Sequence, residues 1–166
     1  MKLRLRHRID CCAPDFWPLY FDPEFTRRLH NEGLGSTSIE IVESSGDLAT
    51  GLRRTLRYSQ RPAMPGPVAK LFGAEVVTIE KGVFDPHTGT WSFELTPSAL
   101  ADKTRIRGSF TVEGDSKASP CEQSFELEAT VKVFGLGPVV ERFIEAQTRQ
   151  SQDKAAAFMN AVLGGG

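Results

Sequence analysis

Apolar residues recur in two rhythms along this chain: every second position over most of its length, then every third or fourth near the C-terminal end. Leu3, Leu5, His7, Ile9 and Cys11 alternate with Lys2, Arg4, Arg6 and Arg8, the pattern of a strand with one covered face. Ala13-Pro14-Asp15 breaks the alternation and predicts a short helix to about Tyr20. Asp22-Pro23-Glu24 predicts a second, capped by Asp22 with Pro23 at its first position, running to about Asn31 and stopping at Gly33 or Gly35. Strand patterns follow. Ile39 and Ile41 share a face over 38–43, with a turn expected at Ser45-Gly46-Asp47. Leu52, Leu56 and Tyr58 share a face with Arg54, and Val77, Ile79 and Val83 share one with Lys81. After a turn at 85–89, Trp91, Phe93 and Leu95 begin the last group. Ile106, Gly108, Phe110 and Val112, then Phe125, Leu127, Ala129, Val131 and Val133, complete the series.

From Pro138 to Leu163 the spacing becomes helical, with Val140, Phe143, Ile144, Ala155, Phe158, Met159 and Val162 on one stripe. Gln147 and Ser151 continue that stripe through its middle, and Glu141, Arg142, Glu145, Arg149 and Asp153 take the other face. A helix this long cannot bury its stripe alone, so it must lie on an apolar surface, which the strands supply. The element order predicts an α+β fold: a curved seven-stranded antiparallel sheet around the long C-terminal helix, with two short helices after the first strand. One domain spans 1–163, and 164–166 are expected to be a frayed tail.

A chain of 166 residues, 40% hydrophobic, is long enough for one domain with a real core. Twenty basic residues against twenty-one acidic ones leave a formal charge of −1, which removes the electrostatic case for nucleic-acid binding. No apolar run has the length of a membrane span, and the basic start lacks the apolar stretch of a signal peptide, so a cytoplasmic protein is expected. Cys11, Cys12 and Cys121 suggest neither a disulfide framework nor a zinc site, and small buried residues explain them better than a reactive pair. His30 and His87 stand apart in a helix end and a turn, and no metal-ligand spacing occurs, so no metal or cofactor is expected.

With these elements in place, the chain resembles the helix-grip superfamily that includes START lipid-transfer domains, polyketide cyclases and pollen-allergen-like proteins. Two segments are similar to a bacterial branch known as DUF2505: Arg61-Pro62-Ala63-Met64-Pro65-Gly66-Pro67-Val68-Ala69-Lys70-Leu71-Phe72-Gly73, and Phe134 to Ile144 at the start of the last helix. The resemblance implies an elongated apolar cavity between sheet and helix. Its expected lining is Trp91, Phe93, Phe110, Val112, Phe125 and Leu127, facing Phe143, Gln147, Ser151, Phe158 and Met159. Plain core is the competing reading for each of the apolar ones.

Polar residues on apolar faces are the candidates for chemistry, because a buried charge is costly unless paired. Arg54, with His7, could fix the polar head of an amphiphile whose tail lies along the aromatics. The alternative is that Arg54 reaches solvent or pairs with Glu145, that His7 is structural, and that Lys81 reaches solvent. Met64, Val68, Leu71 and Phe72 make the 61–73 insertion a lid over the cavity mouth, a fixed plug at its end, or a tip for transient membrane contact. The leading expectation is noncatalytic binding or transfer of a hydrophobic or amphipathic, lipid-like small molecule. A cyclase- or hydrolase-like enzyme and a scaffold with a filled interior are the rivals, and nothing in the sequence indicates the oligomeric state.

Overall fold

A computed structural model describes residues 1–165. The sheet has seven antiparallel strands in the order β1-β7-β6-β5-β4-β3-β2. They are β1 (Lys2–Ile9), β2 (Ser38–Asp47), β3 (Gly51–Gln60), β4 (Val76–Asp85), β5 (Thr90–Pro97), β6 (Thr104–Glu113) and β7 (Cys121–Val131). After β1 come α1 (Ala13–Tyr20) and α2 (Pro23–Arg28); α3 (Gly66–Phe72) lies between β3 and β4, and α4 (Gly137–Gly165) lies against the sheet. This is the helix-grip architecture expected from the element order.

Local chemistry explains the boundaries. Asp22 caps α2 by accepting from Phe25 N at 2.9 Å, with Pro23 in the first turn. The chain then continues as one π-helical turn, Leu29–Gly33, that buries both Leu29 and His30. The β2–β3 hairpin turns later than expected. β2 runs on to Asp47, whose carboxylate accepts from Ala49 N, Thr50 N and Thr50 Oγ1 at 3.0, 2.7 and 2.8 Å. A bulge between Ile41 and Glu43 breaks the β2–β3 register and turns Val42 outward. α4 continues through Gly165, so residues 164 and 165, expected to fray, are helical, and Gly166 lies outside the described residues.

The alternation predicted for β1, β3, β5, β6 and β7 places the expected residues inward, but β4 has the opposite phase. Register pairs Leu56 with Glu80, Arg54 with Gly82 and Leu52 with Phe84, so Thr78, Glu80, Gly82 and Phe84 face inward. Val77, Ile79, Lys81 and Val83 lie on the outer face. The reason is steric. A Cβ at Gly82 would stand 2.1 Å from Trp91 Cζ2, and one at Gly108 would stand 2.3 Å from Phe93 Cζ. The two glycines leave room for two large rings to lie across the concave face, and no other residue of β4 could take that place. Lys81 instead joins an outer row, Lys2-Glu128-Arg107-Glu94-Lys81, in which opposite charges sit side by side across five strands.

Two clusters close the ends of the space under α4. At one end α1 and the turn after it lay Phe16, Trp17, Tyr20 and Phe21 over the sheet; Trp17 stacks on Phe110 at 5.4 Å, and Phe21 meets Trp91 edge-on at 5.0 Å. At the other, Val68 and Phe72 of α3 pack with Val131 and Val140, and Met64 and Leu71 lie partly buried against them. Cys11 and Cys121 are buried free thiols, and Cys12 Sγ donates to Asp15 Oδ2 at 3.1 Å.

Replacing Gly82 with alanine should destabilise the protein by ~1–3 kcal/mol, because the fully buried Trp91 has nowhere to shift. Urea unfolding of the variant beside Gly89→Ala would check this. At Gly89 (φ +63°) the cost is backbone strain alone, with open space around the added Cβ.

Candidate functional site

Between the concave face and α4 lies a cavity of about 220 Å³. Phe93, Phe110, Phe125 and Leu127 line it from the sheet, Phe143 and Met159 from α4, and Phe72 from α3. Gln147 and Ser151 reach it as well, with Thr148 and Gln152 beside them, so the polar middle of the α4 stripe faces open space rather than sheet.

Other residues singled out in the sequence lie elsewhere. Trp91 is 0% exposed beneath the α1 aromatics, and Val112 packs into the main core. Phe158 sits beside Phe25, with centroids 5.9 Å apart, under the Arg28 guanidinium. Met64, Val68 and Leu71 stay in the α3 cluster outside the wall.

His7 is set apart from the cavity. Its Nε2 donates to Asp153 Oδ1 at 2.7 Å, tying β1 to α4. Asn160 adds two bonds at the same seam, accepting from Asp10 N at 2.8 Å and donating to Arg8 O at 2.9 Å. His7 is therefore a clamp on the helix.

Arg54 neither reaches solvent nor meets Glu145, which pairs with Arg149. The residue is 4% exposed, and Nη1 donates to Thr26 Oγ1 at 3.0 Å. Its guanidinium lies over Phe21, Tyr20 and Trp91 at 5.0, 5.2 and 5.6 Å, and these ring faces supply part of the attraction that water would have given. Nε has no hydrogen-bond partner among the described residues. Among the described residues no carboxylate lies within ion-pair distance, but Glu80, diagonal to it across β3 and β4, feels its charge.

The sequence reading did not single out the polar end of the cavity: Tyr20, His30, Tyr58, Thr78 and Glu80. His30 stands 4.7 Å from the Tyr58 ring, with Nδ1 3.2 Å from Ser36 Oγ. Burial, helped by the charge of Arg54, pushes its pKa down to about 4, so the ring is neutral near pH 7. Burial raises the Glu80 carboxyl above the usual range while Arg54 opposes the shift. Burial also holds both tyrosine hydroxyls protonated. One signal could have located Glu80: Gly82, two residues on, marks the face of β4 that needs space. Among the described residues no group of side chains is arranged to hold a metal ion, and no helix is long and apolar enough to cross a membrane.

Comparison with known proteins places this geometry. The profile of a family described as protein of unknown function (DUF2505) matches residues 4–163. Among solved structures, the Zhui aromatase/cyclase from Streptomyces sp. R1128 superposes with a TM-score of 0.69 at 10% identity, covering 98% of this chain and 95% of that one. A START superfamily protein from Mycobacterium smegmatis gives 0.66 at 12%, covering 97% and 98%. The major latex-like protein 151 of Panax ginseng gives 0.61 at 12%, covering 96% and 97%. At such identities these matches show a shared fold. No curated protein sequence matches the chain.

The buried His30 sets a pH dependence. Its pKa is depressed on folding, so its contribution to stability is complete above about 6.5 and is lost as pH falls toward 4, by roughly 1.4 kcal/mol per pH unit within that window. Glu80, whose pKa burial raises, acts in the opposite direction as pH falls. Denaturation of His30→Gln and wild type across pH 4–7 isolates the histidine, and the difference between them should shrink as pH falls.

Proposed function

This chain belongs to the DUF2505 family, and we propose that it binds a small, mostly apolar molecule in the cavity between the sheet and α4. One observation carries the reading: the concave face and the helix stripe stay apart and enclose about 220 Å³, where a protein serving only as a scaffold would fill its interior with side chains. The wall is aromatic on the sheet side, and burial of the ligand's apolar surface there supplies the affinity, at roughly 25 cal/mol per Å². The space is below the roughly 300–1,000 Å³ usual for drug-sized ligands, which favours a compact molecule over a two-chain lipid. Pro62 and Phe72 of the 61–73 segment form part of the wall, so in this reading the ligand enters by displacement of α3.

Ala155 lines the cavity from α4, and Ala155→Trp should fill it while leaving the helix intact. Native mass spectrometry of wild-type protein taken from a cell extract is expected to show a bound small molecule that the variant lacks. If the wild type carries no added mass and takes up no naphthalene in titration, the binding reading is wrong.

A further inference from the structure

The charges around the cavity set the chemistry of its occupant. No lysine or arginine side chain lines the wall. Arg54 points inward from β3, but its guanidinium is held by Thr26 and three aromatic faces outside that wall. Among the described residues the wall contains one carboxyl, Glu80. The polar end therefore offers no cation to a carboxylate or phosphate, and it would force such a head against Glu80 in a water-poor space. Burying an unpaired negative charge there is strongly unfavourable. A cationic head fares little better, because the buried Arg54 charge, close enough to act on Glu80, repels it.

Hydrogen-bonding capacity points the same way. Tyr58, Thr78, Glu80, Gln147 and Ser151 all line the cavity, and each carries a side-chain group able to donate or accept. They come from both walls, sheet and helix, so a ligand group between them can be met from two sides. The Glu80 carboxyl can accept from a ligand hydroxyl in either protonation state, and accepts more strongly when ionised. A hydroxyl on the ligand satisfies it without adding charge. The flat faces of Phe93, Phe110 and Phe125 beyond it suit a ring.

We propose that the cavity selects an uncharged ligand that donates a hydrogen bond, a phenol or other hydroxylated ring compound, and rejects carboxylate- and phosphate-headed amphiphiles. The proposal rests on the cavity being a binding site, and it assigns Glu80 as the residue that sets the preference.

Four probes with one ring system test it: naphthalene, 2-naphthol, 2-naphthoate and 2-naphthylmethylamine, titrated calorimetrically at pH 7 into the full chain. The expected order places 2-naphthol at least about tenfold tighter than the other three, a difference of one strong hydrogen bond. Glu80→Leu should bring 2-naphthol down to the level of naphthalene. Glu80→Gln, nearly the same shape and still able to accept, should keep most of the 2-naphthol affinity and lessen the rejection of 2-naphthoate. Equal binding of naphthalene and 2-naphthol would leave the cavity a binding site and overturn the preference. Tighter binding of the carboxylate or the amine would overturn it too. Binding of none of the four would remove both the preference and the binding reading beneath it.

Discussion

A guanidinium buried under three aromatic rings sets the layout of one half of this molecule. Arg54 cannot reach water, so its charge must be met by what the chain can bring to it. Thr26 of α2 accepts one hydrogen bond, and Tyr20 and Phe21 lay their faces over the cation. The two short helices are thus fixed to the sheet by this contact as well as by apolar burial. On the neighbouring strand the same charge favours a carboxyl, and Glu80 stands diagonal to it. One residue thereby anchors the aromatic cover and opposes in part the cost of burying the acid beside the cavity.

The cavity follows from how the large rings are placed. Trp91 and Phe93 occupy the concave face only because Gly82 and Gly108 give up their side chains beneath them. Trp91 is then sealed by α1, while Phe93 remains at the edge of the open space. α4 spans what is left. Its ends pack on apolar clusters, and its middle, with Gln147 and Ser151, faces the gap. The seam formed by His7 with Asp153 and by Asn160 with the β1 backbone holds the helix at its distance from the sheet.

Much of this was legible in the sequence because strand alternation is strict wherever one face is wet. β5, β6 and β7 show it most clearly, and the polar break in the α4 stripe falls where that helix borders the cavity. β4 misled because Val77, Ile79 and Val83 are good strand formers on the wrong side, while the inner positions held Thr78, Glu80 and Gly82. Hydrophobicity alone assigns that strand backwards; only the space required by Trp91 corrects it, and a ring's resting place is a tertiary fact. His30 was passed over for a similar reason, since a π-helical turn that rotates it inward leaves no mark in the spacing. His7 and Arg54 were found as misfits on their faces, but their partners, Asp153 and Thr26, are distant in sequence.

The bulge at Ile41–Glu43 has a consequence for the molecule among its own copies. An open sheet ends in unpaired backbone on both sides, and β2 is one of those edges. A regular edge strand would offer an incoming strand a continuous ladder. Here the interrupted register, with Val42 turned out and Glu40 and Glu43 on either side, leaves only short matching stretches. The same irregularity makes β2 a poor template for an added strand at this one edge.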